Sequence, residues 1–163
     1  MKKVLIAYVT KTGTTANAAE IIGGTLRDEG FDATVMPLAD AGSLDSYDSV
    51  IIGAPINGMA WHPDATAFVV NHAAELSQKD VSFYLLSYIY FTGCNFWKKV
   101  IAKAFGRLPQ SVHPRKTGMF GGKVEKEFPA FPRFLFGVRK GTPTDLQDDE
   151  TVRQWARQWA ETV

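Results

Sequence analysis

Five short apolar runs, near residues 3–9, 33–37, 49–53, 81–87 and 117–121, alternate with longer stretches of helical periodicity near 14–29, 64–77, 95–108 and 149–162. This alternation constrains the fold strongly. Strands that are apolar throughout are buried on both faces, which requires a helix layer on each side, and connections of helical length join strands that run parallel. The expected architecture is therefore α/β, a doubly wound five-stranded parallel sheet with helices on both faces. The final helix is the clearest element: Val152, Trp155, Ala156, Trp159, Ala160 and Val163 form one stripe behind Asp148, Asp149 and Glu150, the acidic start that a helix dipole favours. At 163 residues the chain suits one domain. No repeat, linker or low-complexity tract divides it, and an insert at about 123–147 precedes the last helix.

The first strand-to-helix junction carries the strongest chemical signal. Thr10, Lys11, Thr12, Gly13, Thr14 and Thr15 directly follow the strand Val4–Val9. Hydroxyl donors, a glycine and the positive end of a helix dipole converge there, which suits a phosphate group. One threonine would suffice as a helix cap, so the surplus hydroxyls point to a ligand. A Walker A loop is excluded, because no G-x-x-x-x-G-K-[ST] occurs.

Ile6, Tyr8, Thr10, Gly13, Thr15, Ala19 and Ile22, taken with their spacing, resemble the FMN-phosphate signature of flavodoxins. Ala7 departs from it, standing where a larger apolar residue is usual, inside the strand and away from the loop. The resemblance spans nearly the whole chain. It implies strand order 2-1-3-4-5, FMN as cofactor and electron transfer through the flavin. Ligands in such sheets lie beyond the carboxyl ends of the strands at the switch point, which directs attention to the loops after Val9, Gly53 and Ser87. A receiver domain shares the topology but needs acidic residues at these strand ends, where this chain has Thr10 and Gly53.

By resemblance, the segment Gly53–Pro63 lies along the edge of the isoalloxazine. The ring-binding candidates there are Pro55, Ile56, Asn57, Gly58 and Trp61. The Asn57-Gly58 peptide is suited to turning its carbonyl toward flavin N5, since both residues tolerate positive φ; a plain tight turn is the alternative. The segment after the fourth strand offers Ser87, Tyr88, Ile89, Tyr90, Thr92 and Gly93. Aromatic faces beside hydroxyl and amide donors match a flat ring with a polar rim. Tyr88, Tyr90 and Trp61 are equally readable as core packing. Neither loop contains Asp or Glu.

Gly53-Ala54-Pro55 with Trp61-His62-Pro63, the strand Gly118–Lys123 and the tail Gly141–Asp145 are similar to the flavodoxin-like subgroup that contains the menaquinone-dependent protoporphyrinogen oxidases. That subgroup implies an enzyme oxidising an organic substrate beside the ring; a simple electron carrier and a redox-inactive binding module are the other readings of the same fold. The implied partners are a redox protein or a quinone. No nucleic-acid partner is expected.

The net charge of +1 conceals an asymmetry: residues 98–140 hold eleven Lys/Arg against two Asp/Glu. Within this block Phe128, Phe131, Phe134, Leu135 and Phe136 are interleaved with Arg133, Arg139 and Lys140. Such a segment covers the protein's own sheet edge or meets an anionic partner or membrane surface. No apolar run approaches the roughly 18 residues that span a bilayer, and Lys2-Lys3 leads straight into a strand. The expected location is cytoplasmic, with the basic block as the candidate peripheral contact. The single cysteine, Cys94, excludes an internal disulfide or a C-x-x-C pair. His62, His72 and His113 lack metal-ligand spacing, and no catalytic side chain or metal site is assigned.

Overall fold

The computed structural model describes all of residues 1–163. Its central sheet contains β1 (Lys3–Tyr8), β2 (Asp32–Pro37), β3 (Ser49–Asn57), β5 (Asp80–Ser87) and β6 (Pro114–Gly121) in the order β2-β1-β3-β5-β6, all parallel. A short sixth strand, β4 (Ala60–Trp61), folds back antiparallel on the end of β3. The doubly wound arrangement anticipated from the alternation is present, and β4 is the addition.

The side-chain period of two divides each strand between two cores. Leu5, Ala7, Val50, Ile52, Phe83 and Leu85 face a cluster completed by α2 (Pro63–Asn71), α3 (Ala73–Leu76) and α5 (Asn95–Ala102). Val4, Ile6, Ile51, Tyr84 and Leu86 face the opposite cluster, which is closed by Ile22 and Leu26 of α1 (Thr14–Asp28) and Trp155 and Trp159 of α7 (Asp149–Ala160).

The helical pattern expected over 64–77 divides at His72, whose φ of −104° and ψ of 17° end α2 and whose Nδ1 lies 3.0 Å from Glu75 Oε1. The pattern expected over 95–108 is helical only to Ala102 and tightens into a 3₁₀ segment at Ala104–Arg107. Two short helices were not anticipated: α4 (Tyr88–Thr92), directly after β5, and α6 (Ala130–Phe136), inside the 123–147 segment. That segment is tied down by a bridge between Lys123 and Asp145.

Asp148 caps α7. Its Oδ1 accepts the N–H groups of Glu150 and Thr151, and its Oδ2 accepts the Thr151 hydroxyl at 2.7 Å. These bonds, the Thr151 hydroxyl first, hold the carboxyl below the ordinary carboxylate range. A carboxyl depressed in this way adds stability above its unfolded pKa and loses that contribution as pH falls through the folded value. Asp148→Ala is therefore expected to lower the melting temperature at neutral pH, and the gap from the parent should close as thermal melts are taken to acidic pH.

Candidate functional site

The loop between β1 and α1 folds around its own hydroxyls. Thr10 Oγ1 accepts the Gly13 N–H at 3.0 Å, and the Thr12 and Thr14 hydroxyls lie 3.1 Å apart. Gly13 has φ +86° and ψ −11°, and a Cβ placed there would meet nothing within 4 Å. Backbone conformation, and not crowding by protein atoms, is thus what calls for glycine. Helix α1 has no side-chain cap and no acidic residue in its first turn. Its first intrahelical donor is the Asn17 N–H, to Gly13 O, so the preceding amides have no carbonyl of the helix to bond, and the helix itself supplies no anion to the positive end of its dipole.

Thr15 decides what this end of the helix is suited for. It is fully buried, and its Oγ1 has no hydrogen-bond partner. The other unpartnered buried polar atom, Ser49 Oγ, belongs to the first residue of the central strand β3, at the amino end of the sheet. Leaving a buried hydroxyl unpaired costs about 1–3 kcal/mol, a cost that an anion accepting from Thr15 would offset. The Thr15 carbonyl is itself held by the Tyr84 hydroxyl at 3.2 Å. Burial, and secondarily Tyr8, push the Tyr84 phenol far above its ordinary value, so it remains a donor.

Beside this loop, four strand ends enclose a cavity of about 220 Å³. Lys11, Thr12 and Thr14 come from the first; Pro55, Ile56, Gly58 and Met59 from the end of β3 and its turn; Leu86, Ser87, Tyr88 and Ile89 from β5 and α4; and Gly122, Lys123, Val124 and Phe128 from beyond β6. In the β3–β4 hairpin, Ile56 pairs with Trp61 and Asn57 with Ala60, leaving a two-residue turn in which Gly58 (φ 60°) and Met59 (φ 64°) are both left-handed, the mirror-image turn that two-residue hairpins favour. Ser87 Oγ accepts the Tyr90 N–H and so caps α4. Tyr88 stands edge-on to Phe128 at 5.5 Å, and its phenol is raised by burial and by Glu127. Gly122 lets the chain pass close to this strand end: a Cβ there would lie 3.0 Å from the Tyr88 nitrogen.

The cavity thus gathers Lys11, Thr12, Thr14, Pro55, Ile56, Gly58, Ser87, Tyr88 and Ile89 from the residues singled out in the sequence. Thr10, Gly13 and Thr15 shape the loop beside it. Asn57 is exposed in the hairpin. Trp61 lies elsewhere, in the core, with its ring against Phe83 and Phe105 and its Nε1–H donating to Tyr84 O. Tyr90 packs on Phe91, the Thr92 hydroxyl donates to Tyr88 O, and Gly93 is pressed against Ile89 and the Phe136 carbonyl; none of these three lines the cavity.

Sequence reasoning missed Met59, Leu86, Gly122, Lys123, Val124 and Phe128. The strand-end rule that selected three loops applies equally to the loop after β6 and would have found Gly122 and Lys123. Carboxylates absent from the segments after β3 and β5 arrive from elsewhere: Glu127 near Tyr88, Asp145 at 3.6 Å from Lys123, and Asp149, which accepts from the Asn17 amide.

Two further hollows adjoin the sheet. One of about 630 Å³, lined by Phe105, Leu108, Val112 and His113, lies at the opposite edge, where β6 begins. The other, about 450 Å³, shares Met59 with the strand-end cavity and is lined by Lys99, Lys103 and Arg107 around Ala60, Val100 and Ala104.

A family model described as flavodoxin domain matches residues 5–138. The chain belongs to the flavodoxin family. It is 29% identical over 89 residues to protoporphyrinogen IX dehydrogenase (quinone) of Escherichia coli K12, an alignment that covers 53% of this chain and 49% of that protein. The chain therefore spans about half the length of the curated relatives it matches. Among solved structures, oxidised flavodoxin 2 of Bacillus cereus superposes with a TM-score of 0.61 at 19% identity, covering 99% of both chains. A Lactobacillus acidophilus flavoprotein in complex with FMN gives a TM-score of 0.57 at 14% identity over 73% of this chain and 93% of its own. These likenesses show the same fold. Within it, no helix is long and apolar enough to cross a membrane.

Proposed function

We propose that this flavodoxin-family protein binds FMN at the carboxyl edge of its sheet and transfers electrons through it. The observation that carries the reading is the Thr15 hydroxyl, buried without a partner in the first turn of an uncapped α1, where a phosphate would accept from it and from the free amides. Thr10–Thr15 would hold the phosphate, with Lys11 adding charge. Residues 55–58 and 87–89 would flank the ring, Tyr88 supplying an aromatic face and a protonated hydroxyl. Trp61, Tyr90, Thr92 and Gly93 would support the site from behind, as packing and as anchors of α4. Bound FMN supplies reversible one- and two-electron transfer; the chain's own contribution is to hold the phosphate, cover the ring from water and set the charge around it.

The electron partner in this reading is a redox protein or a quinone. The groove lined by Lys99, Lys103 and Arg107 beside Met59 favours a second reading, a protoporphyrinogen IX dehydrogenase-type enzyme whose anionic organic substrate is oxidised next to the ring. Anaerobic turnover separates the two. The carrier reading expects the reduced protein to be reoxidised by a menaquinone analogue without consuming protoporphyrinogen. The enzyme reading expects protoporphyrinogen oxidation that fails in Lys99→Glu/Lys103→Glu.

Charge at the cavity makes a separate expectation. Lys11 lines it and makes no ion pair, whereas Lys123 is matched by Asp145. Lys11→Glu should lower the midpoint potential of the bound flavin, by on the order of tens of millivolts after solvent screening, because a nearby anion opposes the gain of electrons. Spectroelectrochemical titration of the two proteins side by side reads this shift.

A further inference from the structure

We propose that α6 and the start of α5 form a docking face for an anionic phospholipid surface. Helix α6 buries none of its residues. Phe131 is 74% exposed, Phe134 85% and Leu135 50%, and Phe96 at the start of α5 is 64% exposed. Large apolar side chains standing singly in water need no explanation, but three at the i, i+3, i+4 spacing of one short helix do; Phe96 adjoins them through Trp97, on whose ring it packs at 5.0 Å, and also lines the groove of Lys99 and Lys103.

The helix is held by its other side. Trp97 Nε1–H donates to Leu135 O at 2.8 Å, the Cys94 N–H donates to Phe136 O at 2.9 Å, and the Phe136 ring packs on Trp97 at 5.2 Å and on Phe128 at 5.9 Å. Gly137, in the left-handed region at φ 70°, ends it. The outward rings are thereby displayed by a fixed frame.

Charge selects the occupant. None of Lys98, Lys99, Lys126, Arg133, Arg139 and Lys140 takes part in an ion pair. The acids nearby in sequence are few: Glu125, Glu127, which accepts from the Gly141 N–H, and Asp145, which pairs with Lys123. Phenylalanine and leucine protruding among unpaired cations match the boundary between lipid headgroups and acyl chains, where rings insert and cations meet phosphate. A seven-residue helix, about 10 Å long, presents no groove for a protein partner to fill. Phe128, two residues before α6, also lines the strand-end cavity, so the docked face adjoins that site. The consequence for a membrane quinone as electron partner rests on the proposed FMN reading; the docking itself does not.

The test is flotation of the full chain, with and without added FMN, on phosphatidylcholine vesicles containing phosphatidylglycerol and on phosphatidylcholine vesicles alone. The expected result is binding to the anionic vesicles only, weakened by salt and independent of FMN. Phe131→Ser/Phe134→Ser/Leu135→Ser should weaken it by on the order of tenfold for each apolar side chain removed, and Arg133→Glu/Arg139→Glu/Lys140→Glu should remove it. Only Arg133 among these is half-buried, and none of the side chains makes a hydrogen bond or ion pair, so thermal melts should stay close to the parent. Failure of the parent to float with anionic vesicles, or equal flotation on neutral ones, would overturn the proposal. So would a parent dimer that the serine variant converts to monomer, since the face would then cover a second copy of the chain. Flavin uptake read in the same samples keeps a failure of docking distinct from a failure of the FMN reading.

Discussion

Alanine at both Thr12 and Thr15 is expected to cost FMN affinity by a factor on the order of 100 to 10,000 while leaving riboflavin affinity nearly unchanged. A hydrogen bond to a charged acceptor contributes about 1.5–3 kcal/mol, and two of them give that range. The two threonines differ in the free protein. Thr12 has the Thr14 hydroxyl as a partner, whereas Thr15 has none. Removing the Thr15 hydroxyl therefore loses no existing bond and relieves a buried unpaired group, so Thr15→Ala alone should melt no lower than the parent in the absence of flavin. Titration calorimetry with both flavins and a melt without ligand give the three readings. Equal loss of FMN and riboflavin would move the phosphate away from this loop.

Trp159→Ala is expected to destabilise the fold by about 3–5 kcal/mol, a large share of the roughly 5–15 kcal/mol by which domains are usually stable. Trp159 is fully buried on the α1 face of the sheet, its ring 5.7 Å from Phe31 and its Nε1–H donating to Ser82 Oγ at 2.8 Å. Truncation leaves a cavity that the surrounding strands cannot close and strands the Ser82 hydroxyl. Helix α7 lies beyond residue 138, where the family match ends, yet it closes the same core as Ile22 and Leu26 of α1. Urea titration of Trp159→Ala should show a lower midpoint with an unchanged slope; a difference under about 1 kcal/mol would mean that α7 covers the sheet only loosely.

The sheet was legible because its strands are continuous apolar runs, and the alternation with helices then fixed which were parallel. Element ends were less legible. The helical pattern at 64–77 breaks at His72, whose ring turns to Glu75 and packs on Phe68; these contacts are local, but they leave the apolar periodicity unchanged, so periodicity does not record the break. The short α4 and α6 are stabilised by tertiary contacts, Trp97 to the Leu135 carbonyl among them, which periodicity does not record. Asn57-Gly58 signalled a turn, but the hairpin register shifts the left-handed pair to Gly58 and Met59.

The site divided along the same line. The threonine loop could be read from its composition, since its role depends on neighbours in sequence. Trp61 could not be assigned, because an aromatic residue at a strand end serves a ligand or a core equally well and only its contacts with Phe83 and Phe105 distinguish them. Lys123 and Phe128 reach the cavity from a segment more than 100 residues away from the threonine loop, brought there by the crossover to β6.

The absorption spectrum of the purified protein after equilibration with FMN and removal of unbound flavin tests the central claim most directly. The expected result is one FMN per chain, with a flavin spectrum altered from that of free FMN by the surrounding aromatic and apolar groups. A protein that emerges without flavin, while its melt shows it folded, would contradict the claim.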